Sequence, residues 1–158
     1  MVDFNNNNLD HEYFMEEALK MARKGEELGE VPVGAIVVDP DNTIISIAKN
    51  MNIALNDSTA HAEILAIREA SSIIKNYRLN GYTLYVTLEP CIMCAGAIIH
   101  ARFAKLVYGT SDPKSGAFGS VYNFHLDNRL NHKVEVISGI LESDSKNLLK
   151  EFFQRYRK

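Results

Sequence analysis

Two short motifs constrain this chain most, because each places metal-ligating residue types at the start of a predicted helix. The first is His61-Ala62-Glu63, and the second, about 30 residues later, is Pro90-Cys91-Ile92-Met93-Cys94. Each motif alone is weak. A lone histidine on a helix is more often a surface or core residue, and Cys-x-x-Cys also fits a redox pair, half of a structural metal site or two buried thiols. Taken together, they predict two helix starts that meet around one ion.

The cysteine spacing and the histidine match three of the four ligands of a tetrahedral zinc site. Cys91 and Cys94 stand at i and i+3, so a helical turn places both sulfurs on one side, within reach of one ion at about 2.3 Å, and His61 supplies the third ligand. Three protein ligands and one open position are typical of catalytic zinc, and the free amides of helix starts favour thiolates. A redox Cys-x-x-Cys is the alternative, but it gives no functional role to His61 and Glu63.

The fourth position of such a site separates a structural role from a catalytic one. The chain has no third cysteine, although His100, His125 or His132 could in principle fill that position. Glu63 lies two residues from His61 and so points about 200° away around a helix axis, which argues against binding to the same ion. We expect its carboxylate to overhang the open position, to accept a proton from water there and to donate it later to the substrate. The alternative for Glu63 is a solvated surface residue.

Hydrophobic periodicity and turn residues predict an α/β fold. Residues 10–28 are predicted to form an amphipathic helix with Asp10 as its N-cap, and residues 59–75 a second helix capped by Ser58 or Thr59. The other predicted elements are strands over 33–38, 44–48, 82–88, 104–108 and 134–137 and helices over 91–100 and 148–156. This order favours a three-layer α/β/α sandwich around a mixed five-stranded sheet, in one domain over residues 10–158. The Asn-rich residues 1–9 are expected to form a flexible tail.

Charge and cysteine content limit the possible partners and compartments. Lys plus Arg number 17 and Asp plus Glu 20, and this net charge of −3 argues against a protein that coats nucleic acid by charge alone. The one basic cluster, residues 143–158, holds five bases and two acids. No apolar run approaches the roughly 20 residues that span a bilayer, and no secretory leader is indicated. Two closely spaced cysteines are too few for a disulfide framework, so we expect a cytoplasmic protein.

The two motifs and their flanking segments resemble the zinc-dependent cytidine and deoxycytidylate deaminase superfamily, whose signature is H-x-E…P-C-x-x-C. Within it, the chain is similar to the bacterial tRNA adenosine deaminases over about residues 10–157. The matching segments are residues 29–35, 59–63, 84–97, 108–109, 112–114, 131–132 and 152–153. The resemblance implies a cytidine deaminase-like fold, one Zn²⁺ per subunit, a homodimer, and conversion of adenosine to inosine at the wobble position of a tRNA anticodon stem-loop.

The resemblance also implies residues that bind the substrate. Those that would line the pocket around a flipped base or contact its neighbours are Val31, Asn50, Leu88, Pro90, Asp112, Lys114 and Phe153. Asn50 would hydrogen-bond to the nucleotide, since an amide offers both a donor and an acceptor. Asp112 and Lys114 would contact neighbouring nucleotides from a loop, and Phe118 in the same loop is expected near the mouth of the site.

Two alternatives of different kinds stay open. The same chemistry on a free base or nucleotide, such as cytosine, a cytidine nucleotide or guanine, would use the same motif. A zinc-stabilised RNA-binding module without enzymatic activity is the second alternative, and there the loss of the Glu63 carboxylate should leave function intact. Deamination of an anticodon stem-loop but not of free nucleosides would exclude both.

Overall fold

Five strands form one mixed sheet in the computed structural model, which describes residues 7–156. They are β1 (Gly34–Val38), β2 (Ile44–Lys49), β3 (Thr83–Leu88), β4 (Lys105–Thr110) and β5 (Glu135–Ile137). Their order across the sheet is β2-β1-β3-β4-β5. The β2-β1 and β1-β3 pairs are antiparallel, and the β3-β4 and β4-β5 pairs are parallel. The predicted mixed five-stranded sheet is thus confirmed.

Helices cover both faces of this sheet. They are α1 (Asn7–Glu27), α2 (Ala62–Ile74), α3 (Ile92–His100) and α4 (Glu142–Tyr156). α1 and α4 pack on one face, and α2 and α3 pack on the other. Successive side chains of β1 point to opposite faces of the sheet and so contribute to both cores. Ile36 and Val38 pack with Phe14 of α1. Ala35 and Val37 pack in the core on the other face. This arrangement confirms the three-layer sandwich. Within residues 7–156, no helix is both long enough and apolar enough to cross a bilayer.

The first helix begins earlier than its predicted capping residue. α1 starts at Asn7, so Asp10 lies inside the helix and is not its N-cap. Residues 7–9 of the predicted tail therefore belong to α1, and residues 1–6 lie outside the described part of the chain. Asparagine lowers helix stability by only about 0.7 kcal/mol per residue or less, which the packed face of a long helix outweighs.

The second helix begins later than predicted. Its N-cap is His61, in an extended backbone conformation, and Ala62 is its first residue, so neither Ser58 nor Thr59 caps it. Thr59 instead closes a turn in front of the helix, where its backbone N–H and its hydroxyl both donate to a carboxylate oxygen of Asp57, at 2.8 and 2.7 Å. Side chains that hydrogen-bond to nearby backbone favour such turns as much as caps.

The topology brings the starts of α2 and α3 to one edge of the sheet. β3 and β4 are parallel, and α3 connects them, so α3 begins directly after the carboxyl end of β3. α2 follows the antiparallel strand β2 and packs against α3. Ligands of α/β sheets commonly bind beyond the carboxyl ends of strands. Both sequence motifs therefore lie at this edge.

Candidate metal centre and active site

Three potential ligand atoms converge where α2 and α3 begin. His61 Nδ1 lies 3.6 Å from Cys91 Sγ and 3.4 Å from Cys94 Sγ, and all three atoms lie within 4.8 Å of one another. Tetrahedral zinc, with bonds of about 2.0 to 2.3 Å, holds its nitrogen and sulfur ligands about 3.6 Å apart. These residues therefore fit a zinc ion at their present separations.

The backbone at the two helix starts produces this convergence. His61 and Cys91 are the N-cap residues of α2 and α3, with extended backbone at ψ 152° and ψ 177°, and Cys94 lies one turn inside α3. The helical angle of about 200° between His61 and Glu63 does not apply, because His61 precedes the helix. The two sulfurs nevertheless share one side of α3, as the i and i+3 spacing predicts.

The thiols and the imidazole are close enough to shift one another's pKa values. A hydrogen bond from the Cys94 thiol, helped by His61, lowers the pKa of Cys91 to about 4. The same hydrogen bond, together with burial, raises the pKa of Cys94. The hydrogen bond to Cys91 raises the pKa of His61. Both sulfurs bind a metal as thiolates and His61 as a neutral imidazole, so metal binding at this cluster would release protons.

No fourth side chain joins this cluster within residues 7–156. The three histidines that were possible fourth ligands lie elsewhere. His132 Nε2 lies 2.7 Å from the backbone oxygen of Phe103, the ring of His125 packs against that of Phe118, and His100 is the last residue of α3. Both cysteines are free thiols. Three ligands with an open position are the arrangement expected for catalytic zinc.

Glu63 is buried beside this cluster. Only 4% of its surface is exposed, so it is not a solvated surface glutamate. Burial raises the pKa of Glu63, while a hydrogen bond from its own backbone, the charge of His61 and a hydrogen bond from the Cys94 side chain oppose that rise. A carboxyl group with a raised pKa holds a proton more readily than an exposed one, which suits a residue that takes up and releases a proton.

A cavity of about 260 Å³ opens in front of Glu63 and the cluster. The residues that line it are Val31, Val33, Asn50, Asn52, His61, Glu63, Leu88, Glu89, Cys91, Asp112, Ser115 and Phe153. A neighbouring groove of about 590 Å³ shares five of these residues and adds Lys114 and Lys146. Pro90, by contrast, is buried and lines neither space; its carbonyl accepts a hydrogen bond from Ala117. Six of the seven predicted substrate-binding residues thus meet at this opening.

Asn50 serves the fold as well as the cavity. Its side-chain oxygen accepts a hydrogen bond from the backbone N–H of Ala62 at 2.8 Å, which satisfies the first free amide of α2. The side chain is buried, with 7% exposed. This bond leaves the NH₂ group of Asn50 as a donor for a molecule in the cavity.

Two buried glutamates that hold backbone segments had no predicted role, and one of them, Glu89, lines the cavity. Glu89 accepts hydrogen bonds from the backbone of the 112–120 loop, and Glu30 accepts them from the backbone N–H groups of Ile53 and Ala54 at 3.0 and 2.9 Å. Both are 2% exposed. The sequence signal was slight, since each stands within a matching segment and next to a predicted pocket residue. Phe118, expected near the mouth, is 2% exposed in the core instead.

Comparison with known proteins agrees with this geometry. Residues 9–110 match the family model of the cytidine and deoxycytidylate deaminase zinc-binding region. The chain is 51% identical over 146 residues to the tRNA-specific adenosine deaminase of Haemophilus influenzae, across 92% of this chain and 84% of that protein. A solved structure from studies of A-to-I editing by tRNA:A34 deaminases at the wobble position of transfer RNA is 47% identical. Its TM-score is 0.84, with 87% of this chain and 99% of that chain covered.

A solved guanine deaminase from Nitrosomonas europaea has the same fold at lower identity. It is 25% identical, with a TM-score of 0.78 over 89% of this chain and 83% of that chain. The family match spans the ligand cluster and Glu63, and the relative from Haemophilus influenzae is similar over nearly the whole chain. The chain therefore belongs to the cytidine and deoxycytidylate deaminase zinc-binding family, in which it is similar to the tRNA-specific adenosine deaminases.

Proposed function

We propose that this chain is a zinc-dependent hydrolytic deaminase that converts adenosine to inosine at the wobble position of a tRNA anticodon. The observation that carries the proposal is the open three-ligand cluster beside a buried carboxylate. In this proposal His61, Cys91 and Cys94 hold one Zn²⁺ per subunit, and Glu63 is the catalytic acid and base. The high identity to tRNA-specific adenosine deaminases supports the choice of substrate.

The proposed reaction needs one group that both accepts and donates a proton. Zinc in an open three-ligand site lowers the pKa of water and so supplies a hydroxide nucleophile at neutral pH. Glu63 takes the proton that the water loses and delivers it to the amino group leaving C6 of adenosine. Water and adenosine thereby give inosine and ammonia. The burial of Glu63 and its place on the cavity wall support this role.

The cavity supplies contacts suited to a base taken out of its stack. Val31 and Leu88 offer apolar walls, and the Asn50 NH₂ group offers a hydrogen-bond donor for a ring nitrogen acceptor. Phe153 is 42% exposed at the edge of the opening, where its ring can stack on a neighbouring base.

The adjoining groove supports an RNA substrate over a free base. It carries Lys114 and Lys146, whose ammonium groups can contact phosphates, together with Glu142 and with Asp112, which also lines the smaller cavity. A free base would need only the smaller cavity. Of the basic tail, Arg155 forms an ion pair with Glu26, and residues 157 and 158 lie outside the described range.

The assembly and location follow from the same proposal. We expect a homodimer. Its interface would help to bury the apolar side chains of Ile92 on α3 and of Leu126, which are 54% and 65% exposed. Sedimentation of the purified protein measures this directly. We also expect the protein to act in the cytoplasm, where reduced cysteines and tRNA are found together.

The test is a substrate panel given to the zinc-loaded protein. An anticodon stem-loop with adenosine at the wobble position should yield inosine, detected by mass, while the same stem-loop with guanosine there and free adenosine should not react. Product from free guanine or cytosine alone would favour the free-base alternative, for which the likeness to guanine deaminase is the reason. RNA binding without any product, unchanged in Glu63→Gln, would favour a binding module.

A further inference from the structure

We infer that Glu89 is a positioning residue, whose buried carboxylate holds the 112–120 loop at a fixed place relative to the metal-ligating segment. The loop carries Asp112 and Ser115 to the cavity and Lys114 to the groove. The kinetic part of this inference rests on the proposed function. The structural part does not, and it can be tested without activity.

The loop depends on a hydrogen-bond acceptor from outside itself. It has no helix or strand of its own between Thr110 and the short 3₁₀ turn Phe124–Leu126. Some of its amides bond locally, for example the N–H groups of Lys114 and Ser115 to the Asp112 side chain. Backbone N–H groups that are buried and lack a partner are costly, so the others need one.

Glu89 supplies that acceptor. One carboxylate oxygen accepts the backbone N–H of Asp112 at 3.0 Å, and the other accepts those of Phe118 at 3.0 Å and Ser120 at 3.2 Å. The Ser120 hydroxyl donates as well. One carboxylate thus joins both ends of a nine-residue loop, by charge-assisted hydrogen bonds in a site with 2% exposure.

The close approach of Gly116 shows how tightly the loop fits this carboxylate. A Cβ atom at position 116 would lie 2.2 Å from both the carboxyl carbon and one oxygen of Glu89. Only glycine allows the loop to lie there without moving the carboxylate. The position of the loop therefore depends on glycine at position 116 and on the placement of the Glu89 carboxylate.

The same carboxylate belongs to the segment that carries a metal ligand. Glu89 follows β3 directly, and its backbone N–H donates to Thr110 at 2.9 Å. The Pro90 carbonyl accepts the Ala117 N–H at 2.9 Å, and Cys91 forms an isolated β-bridge with Gly116. The loop thus follows the position of residues 89–91, which ties the substrate wall to the metal centre.

Glutamine at position 89 would keep the size of the side chain but remove part of its hydrogen bonding to the loop. All four donors point at the carboxylate, and an amide replaces one acceptor oxygen with an NH₂ group that can only donate. Glu30 provides the matched control, because it is an equally buried glutamate that accepts hydrogen bonds from a different segment, at the backbone N–H groups of Ile53 and Ala54.

Hydrogen exchange of the zinc-loaded protein tests the structural part. In Glu89→Gln, peptides covering residues 112–120 should exchange about tenfold faster or more, while those covering 50–57 stay unchanged. Glu30→Gln should give the reverse pattern. Unchanged exchange over 112–120 in Glu89→Gln, or equal acceleration of both segments in either variant, would overturn the inference.

Kinetics on the anticodon stem-loop test the positioning role. Glu89→Gln should raise KM about tenfold, with kcat within about threefold and zinc content unchanged. Gly116→Ala displaces the carboxylate from the other side and should act in the same direction, and Ser120→Ala should do so more weakly. Should Glu89→Gln not fold, these two variants decide the matter. An unchanged KM, or loss of zinc together with kcat, would overturn the inference, whereas an inactive wild-type protein would refute the proposed function alone.

Discussion

Two buried glutamates line the same cavity, and they differ in what their oxygens contact. Glu89 receives four hydrogen bonds from the 112–120 loop. Glu63, 4% exposed, has the metal-ligating residues as its neighbours, with Cys94 as its side-chain donor, and burial raises its pKa. Burial therefore does not decide the role of a carboxylate. The Glu89 carboxylate is engaged by the donors of a loop, whereas the Glu63 carboxylate lies beside the metal-ligating residues, where we propose that it carries a proton.

Removal of zinc should separate the two glutamates most sharply. Dialysis against a chelator should abolish deamination, by about 10³-fold or more, because Glu63 has no activated water to act on. Exchange protection of residues 112–120 should remain, because the Glu89 hydrogen bonds need no metal. Activity should return when zinc is added back. Loss of loop protection in the chelated protein would mean that the metal, and not Glu89, holds the loop.

Glu63→Gln should produce the next largest effect. The amide keeps the size of the side chain but cannot carry the proton, so we expect kcat to fall by about 10²-fold or more. Zinc content and KM for the stem-loop should stay the same. Single-turnover rates at saturating substrate measure this, with Glu89→Gln as the control. A Glu63→Gln enzyme that keeps its rate would remove Glu63 from the reaction.

The free energy of unfolding should rank the two variants in the opposite order to their activity, with the larger loss in Glu89→Gln. Glu89→Gln should lower the free energy of unfolding by about 1 to 3 kcal/mol, since it leaves buried donors without an acceptor. Glu63→Gln should lower stability less, because an amide of the same size avoids the desolvation cost of the buried Glu63 carboxylate. Urea unfolding of both zinc-loaded variants gives the comparison. Greater destabilisation by Glu63→Gln than by Glu89→Gln would contradict this view of the two residues.

The Asn50 side chain both holds the backbone, through its oxygen, and offers a donor to the cavity, through its NH₂ group. Its variants should give the smallest effects. Asn50→Asp keeps an oxygen for the Ala62 N–H but loses the NH₂ donor. We expect KM to rise by roughly 2- to 12-fold, the value of one hydrogen bond of about 0.5 to 1.5 kcal/mol. Asn50→Ala should also lose about 1 kcal/mol of stability with the cap. An unchanged KM in Asn50→Asp would show that the NH₂ group does not contact the base.

Local patterns predicted much of this molecule. The β-branched run over 33–38 predicted a strand, and the structure shows that its side chains alternate between two cores, with Ile36 in one and Val37 in the other. The structure moves some of the predicted boundaries. Asp10 has the chemistry of an N-cap yet lies inside α1, because packing along the helix outweighs one capping hydrogen bond. Phe118 was expected near the mouth and is buried in the core.

The sequence by itself determined which groups could bind a metal and carry a proton, since His61, Glu63, Cys91 and Cys94 have that chemistry in any fold that joins the two motifs. Only the tertiary structure decided the roles of Glu89 and Asn50. Their hydrogen-bond partners are 12 to 31 residues away in the sequence. A polar side chain holds the backbone when distant donors bind to it, and it stays available to a ligand when they do not. That choice depends on how the chain packs, and spacing along the sequence does not contain it.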